Sequence, residues 1–318
     1  MKRLVLSLVL ISLVLTGTSF GAFQETFTGG FDRPDWYFTS MNSGAYTQDT
    51  SGDIYRATTS TYPGQTPNGA DQVIGFIATQ TASDFTMGAW FNVDATQYDP
   101  ANPYSYNDSS MALIGRANLS IGCAYGIGFN RGWGHFRMIK VTYGVYSNFP
   151  TYYSAKGDGK DLDAPYYVQW TASGSDFNVK VFDANYALLA DWNESDSSFT
   201  SGNNGIMTYL NPSVAPENSP LYPYPSLMNA TLDDVTCSAY SADFNCDGSV
   251  GFSDYLVLTQ NFNGNGHTLE GDANGSGNVN FSDYLVLTQQ FGSTGGAVPE
   301  PVTLALFGLG ALLLRRKA

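Results

Sequence analysis

The chain has 318 residues, with 28 Asp and Glu against 14 Lys and Arg, and a formal net charge of −14 at pH 7. Five of the basic residues, Lys2, Arg3, Arg315, Arg316 and Lys317, sit at the two ends, and none lies between Phe182 and Leu314, so the body of the chain is more acidic still. That balance makes nucleic acid and anionic lipid surfaces poor partners, because both require a basic footprint; it serves solubility at the least, and it suits cation binding.

Residues 1–21 read as a secretory signal. Lys2-Arg3 form the charged start, Leu4 to Leu15 the apolar run, and Ser19-Phe20-Gly21 place small residues before a cut at Ala22. The apolar run is shorter than the ~20 residues a bilayer span needs, which argues against a retained helix. An exported chain can form a disulfide. Cys123, Cys237 and Cys246 leave one thiol over, with Cys237–Cys246 and Cys123–Cys237 as candidate pairs and three free thiols as the other possibility.

Residues 22–240 predict one all-β domain. Phe85, Met87, Ala89, Phe91 and Val93 alternate toward one face, as do Phe177, Val179 and Val181, with Asn178 and Lys180 opposite. Ile139, Val141, Tyr143 and Val145 make a further row. Short period-two runs punctuated by Gly, Asn and Asp, without helices, mean an antiparallel sandwich or barrel. The stretches SDFTMGAWFNV, YGIGF, YYVQWTASGSDFNVKVFDANYALLADW and the closing ATLDDV, with ETF and Trp36 upstream, resemble the concanavalin-like (laminin-G-like) jelly roll. That resemblance implies a sandwich whose first and last strands lie together, in a group that includes glycan binders, protein binders and glycoside hydrolases.

An acid pair for glycoside hydrolysis is hard to find here. The domain holds only Glu25, Glu194 and Glu217, and DWNESD, with Asp191, Glu194 and Asp196, reads as a polar hairpin connection. His135 is the domain's one histidine, with no evident nucleophile beside it. Trp133, Tyr222 and Tyr224 sit in loop-like contexts where a ring can meet a sugar or simply pack, while Trp36, Trp90, Trp170 and Trp192 lie in strand patterns that suggest core roles. Asp233-Asp234 reads as a turn cap, with a structural cation as the alternative.

Residues 241–292 hold a duplication. DFNCDGSVGFSDYLVLTQNF begins at Asp243 and DANGSGNVNFSDYLVLTQQF at Asp272, with 14 of 20 positions identical. Each copy places oxygen-bearing residues at alternate positions, a glycine at position six and an aspartate at position twelve, a spacing that lets about twelve residues wrap one calcium ion. The first set is Asp243, Asn245, Asp247, the Ser249 carbonyl and Asp254, with Gly248 at the bend. The second is Asp272, Asn274, Ser276, the Asn278 carbonyl and Asp283, with Gly277 at the bend and Asn280 in reach through water. Three carboxylates against two predict weaker binding in the second loop. Each loop runs into a short helix whose apolar stripe is Tyr255, Leu258 and Phe262, or Tyr284, Leu287 and Phe291.

Half an EF-hand used twice in this way resembles the type I dockerin family, which implies two calcium ions and a cohesin-like partner. Positions ten and eleven depart from the family pattern: they are Phe252-Ser253 and Phe281-Ser282. Thr259-Gln260 and Thr288-Gln289 also stand where basic residues are common in dockerins. A calcium-stiffened spacer packed on its neighbour is the plainer alternative.

After a linker at 293–297, residues 298–318 run Val298-Pro299-Glu300-Pro301, then an apolar stretch to Leu314, then Arg315-Arg316-Lys317. This order resembles the PEP-CTERM sorting signal, which implies processing by an exosortase-type enzyme near Pro299, Glu300 and Pro301 and transient membrane contact through the tail; a simple anchor helix is the alternative. The whole reads as an exported, non-catalytic protein of the cell envelope, surface or extracellular matrix that binds a polysaccharide or surface polymer. A polysaccharide hydrolase or lyase delivered by its dockerin, or a purely structural envelope protein, are the other readings.

Overall fold

The computed structural model describes residues 22–28, 37–41, 46–49, 55–59, 73–93, 110–118, 120–130, 134–143, 145–155, 164–210 and 227–294. The signal segment, Trp36, Trp133, Glu217, Tyr222, Tyr224 and the tail with Pro299, Glu300 and Pro301 lie outside them.

In chain order the strands are β1 (Phe23–Glu25), β2 (Tyr37–Met41), β3 (Tyr46–Asp49), β4 (Tyr55–Thr59), β5 (Val73–Ala82), β6 (Phe85–Val93), β7 (Ser110–Asn118) and β8 (Cys123–Asn130). They continue with β9 (His135–Thr142), β10 (Val145–Ser154), β11 (Tyr166–Ser173), β12 (Asp176–Phe182), β13 (Leu188–Ser195), β14 (Gly202–Leu210) and β15 (Leu227–Ser238). Two helices follow, α1 (Phe252–Asn261) and α2 (Phe281–Gln290), with a 3-10 turn at Thr268–Glu270 between them. One sheet runs β13-β12-β11-β6-β15-β4-β3, with β1 added on β15, and the other β10-β9-β8-β7-β14-β5-β2. The chain crosses repeatedly between the two antiparallel layers, and β1 lies against β15 with Phe23 opposite Cys237. The fold is the expected all-β, jelly-roll-like sandwich followed by a small helical module.

The alternation read from the sequence sets the core. Phe85, Met87, Ala89 and Phe91 of β6 meet Val168 and Trp170 of β11 and Phe177, Val179 and Val181 of β12 on the inner face of the first sheet. Met111, Leu113, Tyr125, Ile127, Phe129 and Met138 face them from the second. Phe85 packs edge-on against Trp170, ring centroids 4.9 Å apart.

Three local expectations change. Ile139 and Val141 are buried on the other face of the second sheet, with Ala112, Ile114, Ala124 and Met207. Tyr143 and Val145 do not extend that row: they are exposed where β9 turns into β10, and Tyr143 takes a left-handed φ of 51°. DWNESD is no hairpin connection but the end of edge strand β13 and the turn beyond it. Asp233-Asp234 sit in β15 at a register shift, where Asp234 has φ 49° and its N–H donates to Asp233 Oδ1 at 2.8 Å, so they form a bulge rather than a turn cap. None of the three cysteines is in a disulfide, and all three are buried.

The two sheets are tied at one end by Asp196, just past β13. Its carboxylate accepts from the Tyr125 hydroxyl of β8 and from Lys140 Nζ of β9 at 2.7 Å. Burial pushes this carboxyl up, but the bonds from Lys140, Tyr125 and Ser198 outweigh it and hold it well below the usual carboxylate range. A depressed folded value stabilises fully above the unfolded pKa of about 3.9 and is lost as pH falls through the folded one. Asp196→Asn is therefore expected to lower the melting temperature at pH 7, with the gap to the parent closing as pH approaches 2. Parallel melting-against-pH curves for the two proteins would exclude this role.

Candidate metal loops and the sheet face they cover

The two copies fold alike because the same oxygens are aimed inward by the same backbone. Position one anchors the bend: Asp243 accepts from Asp247 N–H at 3.0 Å and Gly248 N–H at 3.0 Å, and Asp272 from Ser276 N–H at 3.0 Å and Gly277 N–H at 2.7 Å. Position twelve closes the loop from the first turn of the helix. Asp254 accepts from Phe244 N–H at 2.8 Å and Gly251 N–H at 2.7 Å, and Asp283 from Asn274 N–H at 3.1 Å and Asn280 N–H at 2.8 Å. Gly248 and Gly277 take φ of 86° and 82°, the left-handed bend their position requires.

The remaining candidate ligands group unevenly. Asn245 Nδ2 donates to Asp247 Oδ2 at 2.9 Å, and Ser249 Oγ donates to Asp247 Oδ1 at 2.6 Å. In the second loop the Ser276 hydroxyl lies 3.1 Å from the Asn278 carbonyl. Asn280 caps α2, its Oδ1 accepting from Ser282 N–H at 2.8 Å, and its Nδ2 donates to the Asn278 carbonyl of the loop at 3.3 Å. The expected helix stripes hold at Leu258 and Leu287, which are buried, and at half-buried Tyr255 and Tyr284. Phe262 and Phe291 lie beyond the last helical turn and are exposed.

Asp243, Asp254, Asp272 and Asp283 are each 0% exposed, and the module has no Lys or Arg of its own. Burial, and then crowding by Asp254 and Asp247, pushes Asp243 up to about 6; burial and Asp283 push Asp272 up to about 6. Buried carboxylates that crowd one another are costly without a counter-charge, and the donor set of carboxylate, amide and carbonyl oxygens fits calcium. Among the described residues no three His, Cys, Asp or Glu side chains gather as a metal cluster.

The second loop is pressed against the sandwich. The outward side chains of the first sheet form cross-strand rows, with Lys180 beside Gln169 in one row and Tyr167 beside Trp90 in the next. Lys180 Nζ donates to the carbonyls of Asn274 at 2.6 Å and Gly275 at 2.9 Å. His267, between the loops, stacks on Tyr167 with centroids 4.0 Å apart and planes 8° apart, and meets Trp90 and Tyr186 at 5.7 and 5.6 Å. Burial holds the His267 ring neutral, down at about 3, and its Nδ1 accepts from Leu269 N–H at 3.2 Å, so the neighbouring Glu270 is not its ion pair. A Cβ on Gly277 would fall 2.2 Å from the Tyr186 carbonyl, and one on Gly275 2.9 Å from Lys180 Nζ. The first copy carries Cys246 where the second carries Gly275, so it is the second copy that has been shaped to the sheet.

Sequence reasoning missed this face. Trp90 is not in the sandwich core but on the outer face, and Lys180, Tyr167, Tyr186 and His267 were not singled out as a group. The available signal was the outward pair Trp90 and Tyr167, two large rings on a face that would otherwise be wet.

Residues 241–292 match the Dockerin type I domain. No curated protein matches the chain. Among solved structures the chain is similar to the carbohydrate-binding module CBM66 from Bacillus subtilis, at 18% identity over 63% of this chain and 94% of that one, with TM-score 0.38. A Bacillus licheniformis beta-glucanase matches at 13% identity over 68% and 97%, TM-score 0.43. A prokaryotic beta-1,3-1,4-glucanase derived from a mouse hindgut metagenome matches at 11% over 69% and 99%, TM-score 0.44.

Two outcomes follow from the packing. His267→Ala is expected to lower the unfolding free energy by about 3 kcal/mol, the low end for truncating a buried ring; a loss below ~0.5 kcal/mol in denaturant melts would show that the ring stack holds nothing. Gly275→Ala forces a Cβ into Lys180 at a φ of 65°, so it should destabilise by about 1–2 kcal/mol, whereas the same change at Gly251, where a Cβ meets nothing within 4 Å, should cost less.

Proposed function

We propose that this chain is an exported, non-catalytic surface protein. In this reading a β-sandwich at residues 22–240 binds a glycan or surface polymer. A calcium-dependent docking module at 241–292 follows, then a short linker at 293–297 and a sorting tail at 298–318. The observation that carries the reading is the duplicated loop with its four fully buried aspartates, inside the segment that matches the dockerin domain.

Asp243, Asn245, Asp247, the Ser249 carbonyl and Asp254 hold one calcium ion in this proposal, and Asp272, Asn274, Ser276, the Asn278 carbonyl and Asp283 a second. The partner is cohesin-like, met by the exposed helix side chains Phe252, Leu256, Phe281 and Leu285. Its contact would be more apolar than in relatives with basic or small residues there. Pro299, Glu300 and Pro301 serve as the recognition point of an exosortase-type enzyme, with the following apolar stretch in transient membrane contact, which places the mature protein at the envelope, surface or matrix.

The non-catalytic reading is supported by β13, whose alternation puts Asp191 and Glu194 on opposite faces: Asp191 is exposed and accepts from Asn178 Nδ2 at 2.7 Å, while Glu194 accepts from Thr151 N–H at 3.1 Å. The two cannot flank one glycosidic bond.

The purified chain in millimolar calcium is expected to be retained on at least one neutral polysaccharide while releasing no reducing sugar. Chelation should lower its melting temperature, because the free energy of ion binding becomes folding free energy, and Asp254→Asn should do the same in the presence of calcium. Sugar release that disappears on replacing Glu194 or Asp191 would replace this reading with that of a polysaccharide-degrading enzyme; no calcium uptake by calorimetry would remove the metal role.

A further inference from the structure

Where the second loop meets the sheet, the two surfaces do not close completely. A cleft of about 370 Å³ remains beside the Lys180 contact, within the size range of small-ligand sites. Its floor comes from the sandwich, with Thr86 of β6, Gln169, Thr171 and Ser173 of β11, and Asn178 of β12; its far wall comes from the module, with Ser241, Asn274 and Gln290.

The charged groups at its edge are already engaged. Asp84 accepts from Arg116 Nη2 at 3.4 Å and Gly174 N–H at 3.0 Å, and Lys180 is spent on two loop carbonyls. What remains is hydroxyl and amide: Thr86 and Thr171 share a hydrogen bond at 3.2 Å, and Gln290 joins Ser241 at 3.2 Å. Gln169 is different. It is 5% exposed and its Oε1 has no hydrogen-bond partner, a costly arrangement that a native fold keeps for a reason. Gln169 lines the cleft, so a bound group there is placed to meet its amide.

We propose that this cleft is a binding site for a neutral, hydroxyl-rich ligand, one or two sugar rings of a glycan, gripped edge-on by amides and hydroxyls with no aromatic platform. The site rests on the glycan-binding reading above and gives it a location. Because Asn274 belongs both to the cleft wall and to the second loop, ligand and calcium stabilise the same arrangement. Each therefore tightens the other by the same factor.

The test is calorimetric titration of the full chain, with calcium, using cellohexaose and laminarihexaose as neutral probes and oligogalacturonate as the charged control. Binding of a neutral probe is expected, weakened tenfold or more by Gln169→Leu and by Ser173→Trp, which fills the cleft, while the exposed Tyr143→Ala leaves it unchanged. Gln169→Leu should leave the melting temperature unchanged or raised, so a folding defect is separable from lost binding. The bound probe should also raise calcium affinity. Neutral-probe binding that ignores both cleft variants would overturn this site and leave the glycan reading standing. No binding of either neutral probe, or tighter binding of oligogalacturonate, would overturn the site as well as its ligand class.

Discussion

The placement of the helical module on the sandwich depends on covering two rings. Tyr167 and Trp90 stand side by side on the outer face of the first sheet, where an antiparallel sandwich would normally show polar groups to water. Fully burying one side chain of that size is worth about 1.5–3 kcal/mol, and Tyr167 is completely buried. The cover is the segment between the two loops, with His267 laid flat on Tyr167. Once that stack is made, the second loop can lie only where it does, over Lys180 and Gln169, and the helical module becomes a partial third layer within the same compact unit, Phe20–Gly295.

That constraint explains how the two copies have diverged. They share the helix and the position-one and position-twelve aspartates, which serve each loop internally. They differ at position four, where one copy carries Cys246 at a left-handed φ of 52° and the other carries Gly275, at which a Cβ would crowd the Lys180 and Gln169 side chains at 2.9–3.0 Å. A duplicated unit begins symmetric, and packing one copy against a sheet breaks the symmetry at the residues that touch it.

Much of this was legible in the sequence. Period-two alternation gave the inner faces of β6 and β12, because burial on one side of a strand repeats every second residue, and the loop spacing gave the inward aspartates and the bends at Gly248 and Gly277. What alternation cannot tell is whether an outer face is covered. Trp90 therefore looked like a core residue, and Lys180 and His267 looked unrelated although 87 positions apart in number they share one seam. Local polarity misled at DWNESD, where an edge strand pairs along one side only and can carry charged residues that look like a turn. It misled again at Tyr143, since a ring at a left-handed turn position breaks a strand pattern that residue type alone would extend.

Lys180 also bears on the relative strength of the two loops. Under the proposed calcium reading, the carboxylate count of three against two would make the second loop the weaker, and the Lys180 ammonium beside its carbonyls would add repulsion toward a cation there. The same two hydrogen bonds, however, hold the Asn274–Gly275 backbone in its loop conformation before any ion arrives, so less ordering is left for the ion to drive. Repulsion toward a partly exposed site is screened by water and salt, whereas the ordering gain is not. In the proposed calcium reading, the sandwich would therefore act on the second loop mainly as a scaffold, narrowing the difference that the carboxylate count alone would make.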